Sequence, residues 1–225
     1  MTLVGLMPNS SNYTFLVELK HGEADLFGVY KPARGESPLW DFPQGNLHRR
    51  EIAAYRLAKF LDWPLIPPTV LRQQGPHGIG SLQLFVDSHP GRDFREARRD
   101  SPQAFLAVAL FDVFTNNADR KAGHCLLDAQ RRLWVIDHGL TFHADYKLRT
   151  VLWDFAGEPI PAPYAGSLDH LSAALEGGEP LAQELRGLIS ARELALLRRR
   201  VAACLQPGWR FPEPTSGWSL PWPMV

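Results

Sequence analysis

Cysteine is scarce: Cys125 and Cys204 are the only two among 225 residues. Two thiols build no disulfide framework, and their spacing matches no metal knuckle, so a reducing, cytoplasmic setting is expected. Neither sign of charge is in excess, since 24 Lys and Arg balance 24 Asp and Glu. That balance removes a global field for nucleic acid or anionic lipid, and neither is expected as a partner. Long apolar runs are also missing: none reaches the ~18 residues of a membrane span, and "MTLVGLMPNSSNYTF" lacks the basic and apolar segments of an export leader. What remains is 45% hydrophobic, enough core for one large domain or two compact lobes.

Alternation opens the chain's regular structure. Tyr13, Phe15, Val17 and Leu19 share one side of an extended run, and after "HGEAD" a second run, "LFGVYK", leads to Lys31. The pattern predicts a β-hairpin. The preceding "PNSSN" suits a polar turn whose amides are free for phosphates, and equally an ordinary loop. In "LHRREIAAYRLAKFLDW", Ala54, Leu57, Ala58 and Leu61 recur at helical spacing, and the same stripe extended backwards reaches Glu51. A carboxylate near the buried edge of a helix needs a cation or a polar pocket. "IPPTVL" and "GSLQLFVD" predict two more strands split by the loop "RQQGPHG", completing a small antiparallel sheet with one helix.

The charged, turn-rich "SHPGRDFREARRDSP" predicts a linker between lobes. Beyond it, "QAFLAVALFDVF" is apolar almost all round, as a central buried helix is. It runs into the polar loop "TNNADRKAGH", and "CLLD", "AQRR" and "LWVID" predict a second hairpin that delivers Asp137 on the side of Asp119. The remainder reads as mainly helical, with Ser190 and Glu193 spaced as a capping box. The three tryptophans of the proline-rich tail are expected to pack back on the domain.

Lys31 at a strand end, Glu51 on the next helix, Asp119 in a loop and Asp137 after a hairpin are the parts of phosphoryl transfer. A lysine neutralises nucleotide phosphates and is held by a glutamate; one aspartate positions the acceptor hydroxyl and another holds a divalent metal. In "VYKP", "REIAAYRLAKFL", "NNADRKAGH" and "VIDHGLTF" the sequence resembles the atypical kinases related to phosphatidylinositol 3- and 4-kinases, including type II 4-kinases and HipA-like kinases, over roughly residues 10 to 143. The resemblance implies an α+β, two-lobed protein-kinase-like fold: an antiparallel-sheet lobe with one helix, residues 1–87, and a mostly helical lobe, 88–225. It implies ATP with Mg²⁺ or Mn²⁺ as cofactors, Asp119 as catalytic aspartate with Arg120 stabilising its loop, and Asp137 as metal ligand. Lys31 and Glu51 would serve the nucleotide, Ser10, Ser11 and Asn12 the turn over its phosphates, and Gln83 to Val86, including Phe85 and Val86, the segment beside adenine.

One position departs from the family. Five residues after Asp119, where the resemblance implies an Asn as second metal ligand, stands His124. An imidazole suits Mn²⁺ better than Mg²⁺ and stops coordinating once protonated, near its ordinary pKa of ~6.5. The departure keeps a nucleotide-binding pseudokinase with a regulatory or scaffolding role as the alternative to an active kinase. A metal hydrolase built on His138 and His143 is disfavoured because adjacent Asp137 and His138 do not readily face one ion. Cys125 reads as a structural thiol. The acceptor, a protein Ser or Thr or a small soluble hydroxyl compound, carries no motif.

Overall fold

The computed structural model describes residues 1–224 apart from 9, 11, 23, 44, 64–65, 89–93 and 216. Its first half is an antiparallel sheet of β1 (Thr2–Leu6), β2 (Phe15–His21), β3 (Ala24–Pro32), β4 (Thr69–Gly75) and β5 (Gly78–Leu84), in the order β1-β2-β3-β5-β4. The expected hairpin is β2 and β3, in register from Phe15 opposite Tyr30 to His21 opposite Ala24. Its alternation starts at Phe15 and leaves Tyr13 outside the strand and exposed. Strand β1 was not anticipated. All five of its residues are exposed, so it lacks the one-sided burial that makes a strand legible. The loop expected at "RQQGPHG" shrinks to a turn at Pro76 and His77, because β4 and β5 continue into it.

Helix α1 (Leu47–Phe60) packs on β4 and β5. Ala54, Leu57, Ala58 and Leu61 are all buried, as their spacing requires. So are Arg50 and Glu51, two charges that the helix carries inward because each meets an opposite charge. Arg50 donates to the carbonyl of Thr141 and to the Glu193 carboxylate, and its guanidinium lies 5.1 Å from the centre of the Phe42 ring. Glu193 belongs to the expected capping box: its amide donates to Ser190 Oγ and its carboxylate accepts the Ser190 amide at 2.8 Å. Burial pushes the Glu193 carboxyl up, but Arg50 and Ser190 outweigh it and hold the pKa below the ordinary value.

Part of the expected linker is helix α2 (Phe94–Asp100), which anchors Ala97 in the core and stacks Phe94 edge-on against Phe105; residues 89–93 of that segment lie outside the described ones. Helix α3 (Pro102–Thr115) is buried almost all round, as its composition demands. The two-stranded hairpin of β6 (Cys125–Leu127) and β7 (Leu133–Val135) follows, and α4 (Ala162–Glu176), α5 (Pro180–Arg186) and α6 (Ala191–Cys204) share one hydrophobic core with α3, on which α6 packs directly. Among the described residues no helix is long and apolar enough to cross a membrane. The tail does return to the domain, through Phe211, Ser219 and Pro221, while Trp218 and Trp222 stay 81% and 89% exposed. Of its three tryptophans only Trp209 packs against the core.

Arg50 ties α1 to α6 and to the chain just after Asp137. Removing one partner of a buried, hydrogen-bonded pair strands the other, so Arg50→Ala should destabilise the fold by about 3–5 kcal/mol. Urea unfolding of both proteins checks this.

Candidate active site

Lys31 lies on β3 opposite Ser81, one residue from the strand's end. Its ammonium donates to Glu51 Oε1 at 2.5 Å and to Asp137 Oδ1 at 3.0 Å. One cation thus bridges sheet, helix and the second hairpin. The ion pair expected between Lys31 and Glu51 is present, and Glu51 uses its other oxygen, Oε2, to accept the amide of His138 at 3.0 Å. Burial works against the Lys31 ammonium, but Asp137 and Glu51 outweigh it and hold its pKa above the ordinary lysine value.

Asp137 sits in the left-handed region, with φ of 61°, a conformation that costs most residues energy and that Asp and Asn tolerate best. Its backbone turns the carboxylate out of the hairpin towards Lys31, leaving half of the side chain, 49%, open to solvent. Lys31 above all, against the cost of burial and with help from His124, holds its pKa well below the usual carboxylate range.

The loop bearing Asp119 is built from inside. Asn116 ends α3 with φ of 55°, the left-handed cap that Asn accepts. Its amide donates to the carbonyls of His143 and Asp145, and its oxygen accepts the Lys147 amide. Asn117 donates to Asp112 Oδ1 and accepts the backbone amide of Asp119. The two asparagines staple the loop to its surroundings. Arg120 is fully buried and forks onto Asp112, with Nε and Nη2 donating at 2.9 and 3.0 Å, while Nη1 donates to the Ile136 carbonyl at 3.0 Å. His138 Nε2, 2.7 Å from Arg120 Nη2, must accept, so this imidazole is neutral; burial and the neighbouring guanidinium lower its pKa. Arg120 therefore stabilises the loop from beneath and meets no ligand.

Asp119 itself remains at the surface of this scaffold. Burial raises its pKa to about 6; Lys121, 3.0 Å from Oδ2, pulls the other way, and the charge of Asp137 adds to the rise. The charge of Asp137 is thus felt at Asp119.

His124 stands beside Asp137, with Nε2 3.4 Å from Oδ2. Its Nδ1 accepts the Lys121 amide at 3.4 Å, which puts the ring's proton on Nε2, facing Asp137. In this tautomer the Nε2 proton lies on the side of the carboxylate, and Nε2 offers no lone pair to a metal. Burial lowers its pKa to about 4, so the protonation expected near 6.5 is displaced into acid. Among the described residues no group of three or more His, Cys, Asp or Glu could hold a metal by itself. A half-exposed carboxylate does fit a Mg²⁺ site completed by nucleotide phosphates and water, and Asp137 is the residue that would hold it.

The hydrogen bonds of the remaining expected residues run to other partners. Ser10 Oγ shares a hydrogen bond with Thr14 Oγ1 at 2.8 Å, and Asn12 Oδ1 accepts the Ser37 amide at 2.7 Å; both sit in the turn between β1 and β2. Ser11 lies outside the described residues. Phe85 and Val86 leave β5 half-buried, with the Phe85 amide donating to Phe27. A cavity of about 310 Å³ lined by Leu6, Tyr13, Phe15, Arg34 and His77 opens at the sheet's end and includes neither aspartate. Cys125 is a structural thiol, its pKa pushed up to about 12 by burial. Sequence reading passed over Lys121 and Asp112. The second was legible as the lone charge in an otherwise apolar helix; the first needed the loop's geometry.

The sheet order, the lysine on β3 held by a glutamate of the following helix, and the two aspartates on loops below them define a kinase-like fold. It superposes with a TM-score of 0.52 on the crystal structure of the golgi casein kinase, at 14% identity over 91% of this chain and 72% of that one. The Helicobacter pylori proinflammatory kinase CtkA gives 0.51, at 11% identity over 90% and 92%. In sequence the chain belongs to the same family as Protein Rv2133c of Mycobacterium tuberculosis, 40% identical over 260 aligned positions covering 99% of this chain and 91% of that protein. Phosphatidylinositol 4-kinase gamma 4 of rice is 33% identical over 144 residues, 53% of this chain but 26% of the plant protein's length. No protein-family model matches the chain.

Proposed function

We propose that this chain is an ATP- and divalent-metal-dependent phosphotransferase of the atypical kinase type, related to the phosphatidylinositol 3- and 4-kinases, that acts in the cytoplasm on a hydroxyl acceptor. The observation that carries the reading is Lys31 held between Glu51 and Asp137, with Asp119 near enough to feel the charge of Asp137 and at a pKa of about 6. Lys31 neutralises nucleotide phosphates, and Glu51 fixes its ammonium. Asp119 accepts the hydrogen bond of the acceptor hydroxyl and orients its oxygen for in-line attack; a carboxylate poised near neutrality can take that proton as the new bond forms. Lys121 keeps an opposite charge beside it. Asp137 would hold the metal, whose charge serves to neutralise phosphate oxygens. Ser10 to Asn12 and Phe85 to Val86 are assigned to the phosphates and the adenine by their places after β1 and β5, with residues 1–87 and 88–225 as the two lobes. The acceptor is a protein Ser or Thr or a small soluble hydroxyl compound.

A second reading, a nucleotide-binding pseudokinase, is favoured by one observation: His124 faces Asp137 with its proton, where a second metal ligand was expected.

Asp137→Asn leaves Lys31 its partner Glu51 but withdraws the metal's carboxylate. It should weaken Mg²⁺-dependent ATP binding by about tenfold or more while metal-free binding changes little. Calorimetric titration with a non-hydrolysable ATP analogue, with and without Mg²⁺, separates the two; equal affinity in both proteins would remove Asp137 from the site.

A further inference from the structure

The loop carrying Asp119 is paired along its backbone with residues 149–151. The Arg149 amide donates to Asn117, the Arg120 amide to Arg149 and the Val151 amide to Arg120, at 2.9 to 3.1 Å, with Arg120 and Thr150 in parallel register. The outer edge of that segment is taken by the C-terminal tail. The Ser219 carbonyl accepts the Thr150 amide at 3.1 Å and the Trp153 indole at 3.0 Å, and the Trp218 carbonyl accepts Arg149 Nε at 3.2 Å. Five residues further on, the Met224 carbonyl accepts the Ala122 amide at 2.9 Å, three residues past Asp119. Between these anchors the tail alternates: Ser219 and Pro221 are buried, while Trp218, Leu220 and Trp222 face outwards. It is a strap, a 3-10 turn at Gly217–Ser219 followed by irregular chain, lying from the supporting segment to the loop itself.

Met224 supplies the partner of an amide that opens the short turn Ala122–His124. That turn sets where Lys121 and His124 stand relative to Asp119 and Asp137. The rest of the loop is fixed by buried side chains and its far end by the Ile136 amide donating to the His124 carbonyl at 3.0 Å, so the tail is what holds the turn at Ala122.

We propose that the C-terminal tail, residues 217–224, is a positioning element of the phosphoryl-transfer site: it clamps the turn at Ala122 in the Asp119 loop, and transfer depends on it while nucleotide binding does not. The proposal rests on the phosphotransferase reading for its kinetic consequence, but the clamp itself can be measured without turnover.

Two variants test it from opposite sides. A chain ending at Pro221 keeps the Ser219 and Pro221 anchors and loses the Met224 contact. Ala122→Pro deletes the donor N–H instead. Proline is tolerated at the start of such a turn, and Lys121 before it is already extended, with φ of −95° and ψ of 161°. With γ-labelled ATP and Mg²⁺, each variant should lose about tenfold or more in kcat while the affinity for a non-hydrolysable ATP analogue stays within about twofold. Hydrogen exchange over residues 119–124 should be about tenfold faster in the truncated chain. Full turnover in both variants overturns the proposal. Should the full-length protein move no phosphate, the phosphotransferase reading fails separately, and the exchange rates decide the clamp: unchanged protection overturns it, lost protection upholds it.

Discussion

Asp119→Asn should abolish phosphoryl transfer and, at neutral pH, make the fold more stable. The side chain is 22% exposed and its pKa is raised to about 6, chiefly by burial. A carboxyl whose pKa is higher folded than unfolded stabilises the fold when protonated. That contribution is complete below the unfolded value of ~3.9 and disappears as pH rises through 6. At pH 7 the ionised group opposes folding, and an uncharged amide of the same shape relieves the strain by on the order of 1–2 kcal/mol. Asparagine keeps the backbone bond to Asn117 but offers no carboxylate to the acceptor. Melting curves at pH 7 and pH 4.5 check the stability half. The variant should melt higher than wild type at pH 7, with the gap narrowing in acid. An equal or lower melting point at pH 7 would mean that Asp119 is not held at a cost to the fold. In the native protein, transfer should rise with pH through about 6 as Asp119 ionises.

Arg120→Ala should destabilise the fold as strongly as Arg50→Ala. Arg120 and Asp112 are both fully buried and joined by two hydrogen bonds, and the same guanidinium satisfies the Ile136 carbonyl and His138. Truncating it leaves a charged carboxylate without a partner, at about 3–5 kcal/mol. Replacing both charges, Arg120→Met with Asp112→Leu, should recover much of that loss, because a well-packed apolar pair avoids the desolvation of two ions. It should not recover transfer, since Asn117 and Ile136 lose the contacts that place Asp119 and Asp137. Chemical denaturation of the single and double variants checks the first claim, turnover the second. A double variant as unstable as Arg120→Ala would show that the pair is needed for folding itself.

The sequence made some of this legible and hid the rest for physical reasons. Glu51 could be placed inward because it shares a helical stripe with Ala54, Leu57 and Ala58, and a buried carboxylate requires the cation that Lys31 supplies. Arg50, one residue earlier, was hidden because its partners, Thr141 and Glu193, are 91 and 143 residues away. Strand β1 carries no periodic signal, as neither of its faces is covered. Helix α2 is too polar to be separated from a linker by composition, although Phe94 and Ala97 dock it. Asn116 and Asn117 read as generic turn residues; only the fold reveals that each spends its side chain on backbone amides or carbonyls around Asp119. His124 was visible as a departure, but its tautomer depends on an amide that the sequence does not position.

The central claim is that this cleft moves a phosphoryl group from ATP under the control of Asp119. Pure protein and its Asp119→Asn variant, incubated with γ-labelled ATP and either Mg²⁺ or Mn²⁺, with and without a mixture of small hydroxyl metabolites, test it most directly. The account predicts metal-dependent label on protein, on a metabolite or in phosphate with the wild type. The variant should leave ATP intact while binding it with unchanged affinity. Nucleotide bound by both proteins, with label leaving ATP in neither under any metal, would contradict the account and leave the regulatory, nucleotide-binding reading in its place.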